Sequence, residues 1–451
     1  VDVLSDIRRS PMGRFQVVAV SIALVLILID GFDVAVMSYA APAISREWHI
    51  DPVMLGYLLS ASLFGMAAGS ILLTPLADRI GRRPLTLISM AVISVGMVLS
   101  VVAADAGQLL AFRVLTGLGV GGMMANLNVL VSEYASDRRR GPIIGIYAAG
   151  YPIGATIGGL AAGPLIPAFG WHSAFLVGAV LSVAMLVASA VWLPESLDFL
   201  LVRRPANALG RANAILARMG RPALAELPSM ASGAPVRGNA AVREVLGTEK
   251  LFRTVMLWIG YAFLVAAYYF ANTWTPKIMA GVSGNDSLGV TVGTVANFGG
   301  ILGCFIFSAL AIRYRSNRLL AGSLVAAGAA YVVFGLAFSQ VALAVALAVL
   351  LGILTTAGIA GFYAIAPGVY SAGARATGLG WMIGLGRLIS IVAPILVGYL
   401  ISGGWAPQNI FFLFALPLLG AAAAVVALGV SLRRAGAGRA GEPQPTDAVA
   451  R

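Results

Sequence analysis

The chain has 451 residues, 59% of them hydrophobic and 11% charged, with a mean hydropathy of +0.92 and a formal net charge of +12. Soluble domains carry about 25% charged residues, so this balance speaks against a water-soluble enzyme, a disordered chain or a nucleic-acid-binding domain. The single cysteine, Cys304, lies in an apolar run, which leaves no disulfide framework and no metal-ligand cluster and calls for no cofactor.

In chain order, the polar stretch Val1 to Arg14 leads into a long apolar run without a cleavage-like segment, so no signal peptide is expected. A helix needs about 20 mainly apolar residues to cross a bilayer, and the apolar runs here are continuous rather than alternating. They predict spans near 15–42, 52–76, 84–104, 108–132, 142–166 and 171–193, then 251–279, 288–312, 318–338, 341–367, 376–401 and 408–432. The expected fold is an all-α polytopic membrane protein of twelve transmembrane helices in two pseudo-symmetric six-helix bundles. The division is an N-terminal bundle over 1–193, a cytoplasmic linker over 194–249, a C-terminal bundle over 250–432 and a tail over 433–451. Within the linker, Leu197 to Arg204 and Ala208 to Met219 read as amphipathic helices on the membrane surface, and Pro222 to Gly238 as a Pro-, Gly- and Ser-rich connection.

With twelve spans, 26 of the 30 Lys and Arg residues fall on one side. By the positive-inside rule that side is cytoplasmic and holds both termini and the linker, in a cell (inner) membrane. The net charge therefore reports membrane orientation, not nucleic acid.

The two halves resemble each other. Leu76 to Arg83 aligns with Leu310 to Asn317, sharing Leu, Ala and the first Arg, and Tyr134 and Arg139 align with Tyr370 and Arg375. Such repeats place substrate at their interface.

Asp30, Asp33, Arg113 and Arg387 are the ionisable residues inside spans, each costing about 2.5–3.5 kcal/mol at the bilayer centre if unpaired. They must face the interior. Asp30 and Asp33 share a helix face three residues apart, and neighbouring carboxylates raise each other's cost of ionisation, which suits them to carry a proton. Arg113 is placed to approach Asp33. Arg387 is placed to take a substrate carboxylate through its planar fork, or to pair with Asp30. Tyr363 and Trp381 are selected as aromatic walls of a substrate site. Asp78 ends the second span, where its own helix dipole disfavours it. It needs a partner in its loop (Arg79, Gly81, Arg82, Arg83) or at the start of the eleventh span. With Glu133 and Arg138 to Arg140, Arg139 among them, it is read as a cytoplasmic gate that latches the outward-open state.

Arg79, Gly81, Arg82 and Arg83 after Pro75-Leu76-Ala77-Asp78, and Arg113 with Gly117, Gly119, Gly121 and Gly122, resemble motifs of the major facilitator superfamily. Asp30-Gly31-Phe32-Asp33 is similar to the signature of its aromatic acid:proton symporters, the 4-hydroxybenzoate and benzoate type. Glu133-Tyr134 to Gly141, Pro194 to Leu197, and Arg375 to Gly378 through Arg387 also resemble that family. The resemblance implies a proton-coupled secondary transporter, not an enzyme, that imports small aromatic carboxylic acids by alternating access. The expected partners are the organic anion, protons and the lipid bilayer, with no nucleic acid, and the expected state is a monomer. The alternatives are another organic anion, such as an aliphatic mono- or dicarboxylate, or a drug/proton antiporter of the same fold; Arg387 at mid-membrane disfavours export of cations.

Overall fold

The computed structural model describes residues 7, 9–227, 238–337, 339–371 and 374–440. The side chains of some helical positions, Asp78 and Arg138 to Arg140 among them, lie outside what is described. Twelve helices among the described residues are long and apolar enough to cross a membrane. The first six are α1 (Arg14–Glu47), α2 (Pro52–Leu72), α3 (Arg82–Val101), α4 (Ala106–Tyr134), α5 (Asp137–Phe169) and α6 (His172–Trp192). Three short helices follow: α7 (Leu197–Arg203), α8 (Ala208–Arg218) and α9 (Gly238–Val245). The last six are α10 (Thr248–Ser283), α11 (Asp286–Arg313), α12 (Ser316–Ala337), α13 (Val341–Ile365), α14 (Arg375–Ser402) and α15 (Pro407–Ala440).

Local chemistry sets where several of these begin. Asp51 accepts from the Met54 amide at 2.6 Å with Pro52 in the first turn of α2, and Asp105 accepts from the Gln108 amide at 2.9 Å at the start of α4. Asn285 caps α11 through the Ser287 amide at 2.9 Å. Each side chain satisfies a donor that the helix itself leaves open.

The packing of one half repeats in the other. Helix α2 lies on α4, α1 on α5 and α3 on α6; correspondingly α11 lies on α13, α10 on α14 and α12 on α15. The halves meet where α2 packs on α14 and α5 on α11, with α1 against α10. Their bonds gather at mid-depth and toward the end remote from the chain termini. There the Tyr57 and Tyr399 hydroxyls lie 3.3 Å apart, Ser60 Oγ donates to the Ile391 carbonyl at 2.8 Å, and Arg46 pairs with Asp286. Asn297 donates to Tyr39 Oη at 3.2 Å, and Asn272 to Tyr151 Oη at 3.2 Å. The 3.5 Å contact of Arg387 Nη2 with Met124 Sδ also crosses between the halves. The described bonds between the halves thus cluster toward the remote end.

The central segment differs from expectation. The apolar faces of α7 and α8 bury Leu197, Leu200, Leu201, Ala212, Ile215 and Leu216 in a small core of their own with Ile7, rather than presenting them to a membrane surface. This core sits on the first half, where the Arg218 guanidinium lies 4.7 Å over the Phe15 ring and Tyr134 Oη donates to the Glu195 carbonyl at 2.6 Å. Helix α9, which the sequence pattern did not indicate, belongs to the second half. Glu244 accepts from the Ser371 amide at 2.9 Å and from its hydroxyl at 2.5 Å, and pairs with Lys250. The lysine and serine donors hold the Glu244 carboxyl down to about 2.

Gly31 shows why α1 and α5 can lie so close. A Cβ built there would stand 2.0 Å from the Tyr151 carbonyl oxygen, a backbone atom that cannot yield without moving α5. Gly31→Val is therefore expected to destabilise by about 1–3 kcal/mol or more through overpacking. Thermal unfolding of the detergent-solubilised protein checks this, with Gly281→Ala, where nothing lies within 4 Å, as the control. An unfolding midpoint for Gly31→Val equal to that control would refute the close approach.

Candidate functional site

Helix α1 carries Asp30 and Asp33 to mid-depth, one turn apart and both fully buried. Their surroundings are opposite. Asp33 Oδ1 is 2.7 Å from Arg113 Nη1, and Asp33 Oδ2 accepts from Ser62 Oγ at 2.9 Å. Arg113, also fully buried, spends its other arm on Thr116 Oγ1 at 2.8 Å and lies 5.1 Å from the Phe175 ring. The pair is enclosed by α1, α2, α4 and α6 of the first half. A buried pair of this kind is costly to break, because either partner alone leaves an uncompensated charge. Arg113 is thus committed to Asp33 in this structure.

Asp30 has no such partner: neither carboxylate oxygen makes a hydrogen bond. Arg387 on α14 lies within electrostatic reach of Asp30 but forms no ion pair with it. Its Nη1 is buried without a partner, and its Nη2 meets only the Met124 sulfur. An isolated charge at such depth is expensive, so the two groups call for something between them: a proton on one, an anion on the other, or each other.

Tyrosines surround this gap. Tyr147 on α5, donating to the Met124 carbonyl at 3.1 Å, and Tyr269 on α10 are each within electrostatic reach of both Asp30 and Arg387. Tyr261 packs its ring on the backbone of Gly386, next to Arg387, and its hydroxyl lies 3.2 Å from that of Tyr363. Trp258 and Trp381 stack at a tilt with centroids 5.7 Å apart. Tyr363 and Trp381 are each 39% exposed. The Tyr363 pairing brings that side chain toward the gap through Tyr261. Trp381 keeps company with Trp258, one turn before Tyr261 on α10.

At the terminal end only part of the expected latch falls among the described residues. Glu133 stays within the first half, in electrostatic reach of Arg82, Glu195 and Asp198, with Oε2 buried and unpartnered. The side chains of Asp78 and Arg139 lie outside the described residues, and Arg79 is exposed. The organising residue is Glu195, buried to 5% exposure. Its Oε1 accepts from the amides of Arg82 at 2.8 Å and Arg83 at 3.1 Å, capping α3 from across the chain, and Oε2 lies 3.4 Å from Arg211 Nη2. A carboxylate at a helix N-terminus meets both open donors and the positive end of the dipole. Gly81 makes room for it: its φ is +105°, and a Cβ there would lie 2.4 Å from Glu195 Oε2. Arg83 Nη2 donates to the Ala190 carbonyl at 2.5 Å, so this arginine also braces the first half.

Sequence reasoning did not assign roles to Glu195 and Tyr261. A signal for Glu195 existed in the Pro194 to Leu197 stretch just after the sixth span. Tyr261 is one of 13 tyrosines, and nothing local sets it apart. Among the described residues no group of three or more His, Cys, Asp or Glu side chains is arranged to hold a metal ion.

The family model described as "Major Facilitator Superfamily" matches residues 23–337. A 4-hydroxybenzoate transporter of Pseudomonas putida is 30% identical over 435 residues, covering 95% of this chain and 96% of the relative. A gallate transporter of Pseudomonas putida is 30% identical over 436 residues, covering 96% of each. Among solved structures, a bacterial homologue of the human lysosomal transporter Spinster, in an inward-facing and unoccupied conformation, aligns with a TM-score of 0.66 at 19% identity over 95% of this chain and 96% of that one.

Proposed function

The chain belongs to the major facilitator superfamily of membrane transporters, and from that premise we propose that it imports aromatic carboxylic acids together with protons by alternating access. The observation that carries this reading is the unpaired Asp30 facing the half-free Arg387 between the two halves. Arg387 takes the substrate carboxylate, and Tyr147, Tyr261, Tyr269 and Tyr363 offer the ring an apolar wall with polar edges. Asp30 takes the proton. Arg113 and Asp33 hold the geometry of α1 rather than touch the anion, since each is paired with the other.

The cycle follows from charge. With the remote end open, a proton neutralises Asp30 and leaves Arg387 to the anion. With the terminal end open, the anion leaves and Asp30 gives up its proton, after which Arg387 is free to neutralise Asp30 for the return. A carboxylate that always has one neutralising partner avoids an exposed charge in the low-dielectric centre at every step. The terminal end is assigned to the cytoplasm, and the membrane as the inner one, on the distribution of basic residues. The bonds between the halves that cluster toward the remote end support an inward-facing reading. The two bundles, over 1–193 and 250–432, rock as bodies within one monomer, and the loop of Asp78, Arg79, Gly81, Arg82 and Arg83, with Glu133 and Arg139, closes the cytoplasmic end in the opposite state. The name-bearing relatives, which carry 4-hydroxybenzoate and gallate, support the substrate class.

Proteoliposomes holding the purified protein test it. An inward-directed proton gradient is expected to drive accumulation of labelled 4-hydroxybenzoate or benzoate, and a protonophore to abolish it. Uptake of neither acid above protein-free vesicles would overturn the substrate class. Equal uptake with and without the gradient would overturn the coupling.

A further inference from the structure

Beside the central gap lies a second feature that the transport cycle does not use. A cavity of about 30 Å³, room for a water molecule or a hydroxyl group but not for a ring, is lined by α10, α11 and α13. Its polar lining comes from Tyr268, Asn272, Thr275, Asn297, Thr355 and Thr356. No charged residue lines it.

Thr275 is the informative member. It is 4% exposed, and its hydroxyl has no hydrogen-bond partner. Three nearby threonines are satisfied by their own helices: Thr273 donates to the Tyr269 carbonyl at 2.6 Å, Thr294 to Val290 at 2.7 Å and Thr355 to Leu351 at 2.7 Å. A buried hydroxyl left open is costly, unless something that enters the cavity pairs with it. The cavity also adjoins the site. Asn272, on its wall, donates to Tyr151 Oη at 3.2 Å, and Tyr151 is within electrostatic reach of Asp30. Asn297, bonded to Tyr39 Oη and to Asn272 Oδ1, holds that wall in place.

The geometry points to a subsite for a neutral hydroxyl substituent of the substrate ring, with Thr275 and Asn272 as its hydrogen-bonding groups. This rests on the proposed aromatic carboxylate reading and adds a specificity to it. With the carboxylate on Arg387 and the ring among the tyrosines, a phenolic hydroxyl enters the cavity and meets the open Thr275 group. A ring bearing a second carboxylate is refused there, because the cavity has no cation to receive it. The subsite distinguishes hydroxylated aromatic acids from the unsubstituted acid by a hydrogen bond that only the former can make.

Competition against labelled 4-hydroxybenzoate by unlabelled benzoate, 3-hydroxybenzoate and 4-hydroxybenzoate, in proteoliposomes of the full chain, tests this. Wild type is expected to bind at least one hydroxybenzoate more tightly than benzoate by about threefold to tenfold, the worth of one neutral hydrogen bond. Thr275→Val, which keeps the shape and removes the hydroxyl, is expected to collapse that ratio toward one. Thr275→Ser, which restores the hydroxyl, is expected to restore it. If Thr275→Val weakens benzoate and the hydroxybenzoates by the same factor, the threonine is packing and the subsite is overturned while the transport reading stands. A wild-type ratio of one overturns it equally. If wild type binds none of the three acids, the substrate class itself fails, and the subsite with it.

Discussion

Arg387→Lys is expected to lose carboxylate affinity steeply, although the charge is kept. Lysine offers a compact ammonium in place of a planar fork, and it cannot hold two carboxylate oxygens in parallel. In the structure Arg387 Nη1 is buried with no partner, so its cost is unrelieved until an anion arrives. Removing one member of a buried charge-assisted pair costs about 2–5 kcal/mol, or roughly 30-fold to several thousandfold in binding. Arg387→Ala should lie at the far end of that range. Measured by competition, the amide of a good substrate should bind wild type as poorly as the acid binds Arg387→Ala. Equal binding of acid and amide by wild type would take the substrate role away from Arg387 and leave it as a counter-charge for Asp30.

The second large effect concerns Asp30. Asp30→Asn fixes the side chain in the shape of the protonated acid, so the linkage between proton and substrate is expected to disappear. Accumulation against a gradient should fall to the equilibrium level, while counterflow, in which labelled substrate exchanges for unlabelled, survives. The same replacement at Asp33 should act differently, because Asp33 is the partner of the fully buried Arg113. Asp33→Asn leaves that guanidinium without its counter-charge and is expected to cost about 3–5 kcal/mol of stability. Recovery of folded protein and its unfolding temperature report on Asp33; the separation of accumulation from exchange reports on Asp30. If Asp30→Asn still concentrates substrate under a proton gradient, coupling lies elsewhere.

The spans were legible because bilayer thickness imposes a length that a continuous apolar run displays on its face. The four charges inside them were legible for a related reason: each interrupts an otherwise apolar stretch. Sequence placed Arg113 within reach of Asp33, since both sit at comparable depth, and the structure joins them at 2.7 Å. Whether Arg387 met Asp30 could not be read. That depends on how the two halves are set against each other, a property of the packing between them rather than of either helix. Glu195 was obscure because its partners, the amides of Arg82 and Arg83, are more than 110 positions earlier in the chain. Helix α9 escaped because eight residues, though amphipathic, are too short to stand out against a polar neighbourhood. Among the rings, Tyr363 was selected by sequence, whereas Tyr261 becomes visible only through its seat on Gly386.

The strength of these contacts is distributed unevenly. The Arg113–Asp33 pair and the Glu195 cap each lie wholly inside the first half, and the tie between Glu244 and Ser371 inside the second. What joins the halves is slighter: neutral bonds of tyrosine, serine and asparagine, and the Arg46–Asp286 pair, whose arginine side chain is 65% exposed. Neutral hydrogen bonds contribute about 0.5–1.5 kcal/mol each and an exposed ion pair about 0–1. On the proposed cycle the molecule works as two blocks joined by helix packing with few polar bonds, and that seam is where thermal energy can act. Ligand-sized free energies suffice to tip such an equilibrium, whereas they would not suffice to break either block. On the proposed alternating-access cycle, the same asymmetry sets where sequence change is expected to be tolerated: substitutions along the seam retune how long each face stays open, and substitutions within a block remove the carrier altogether.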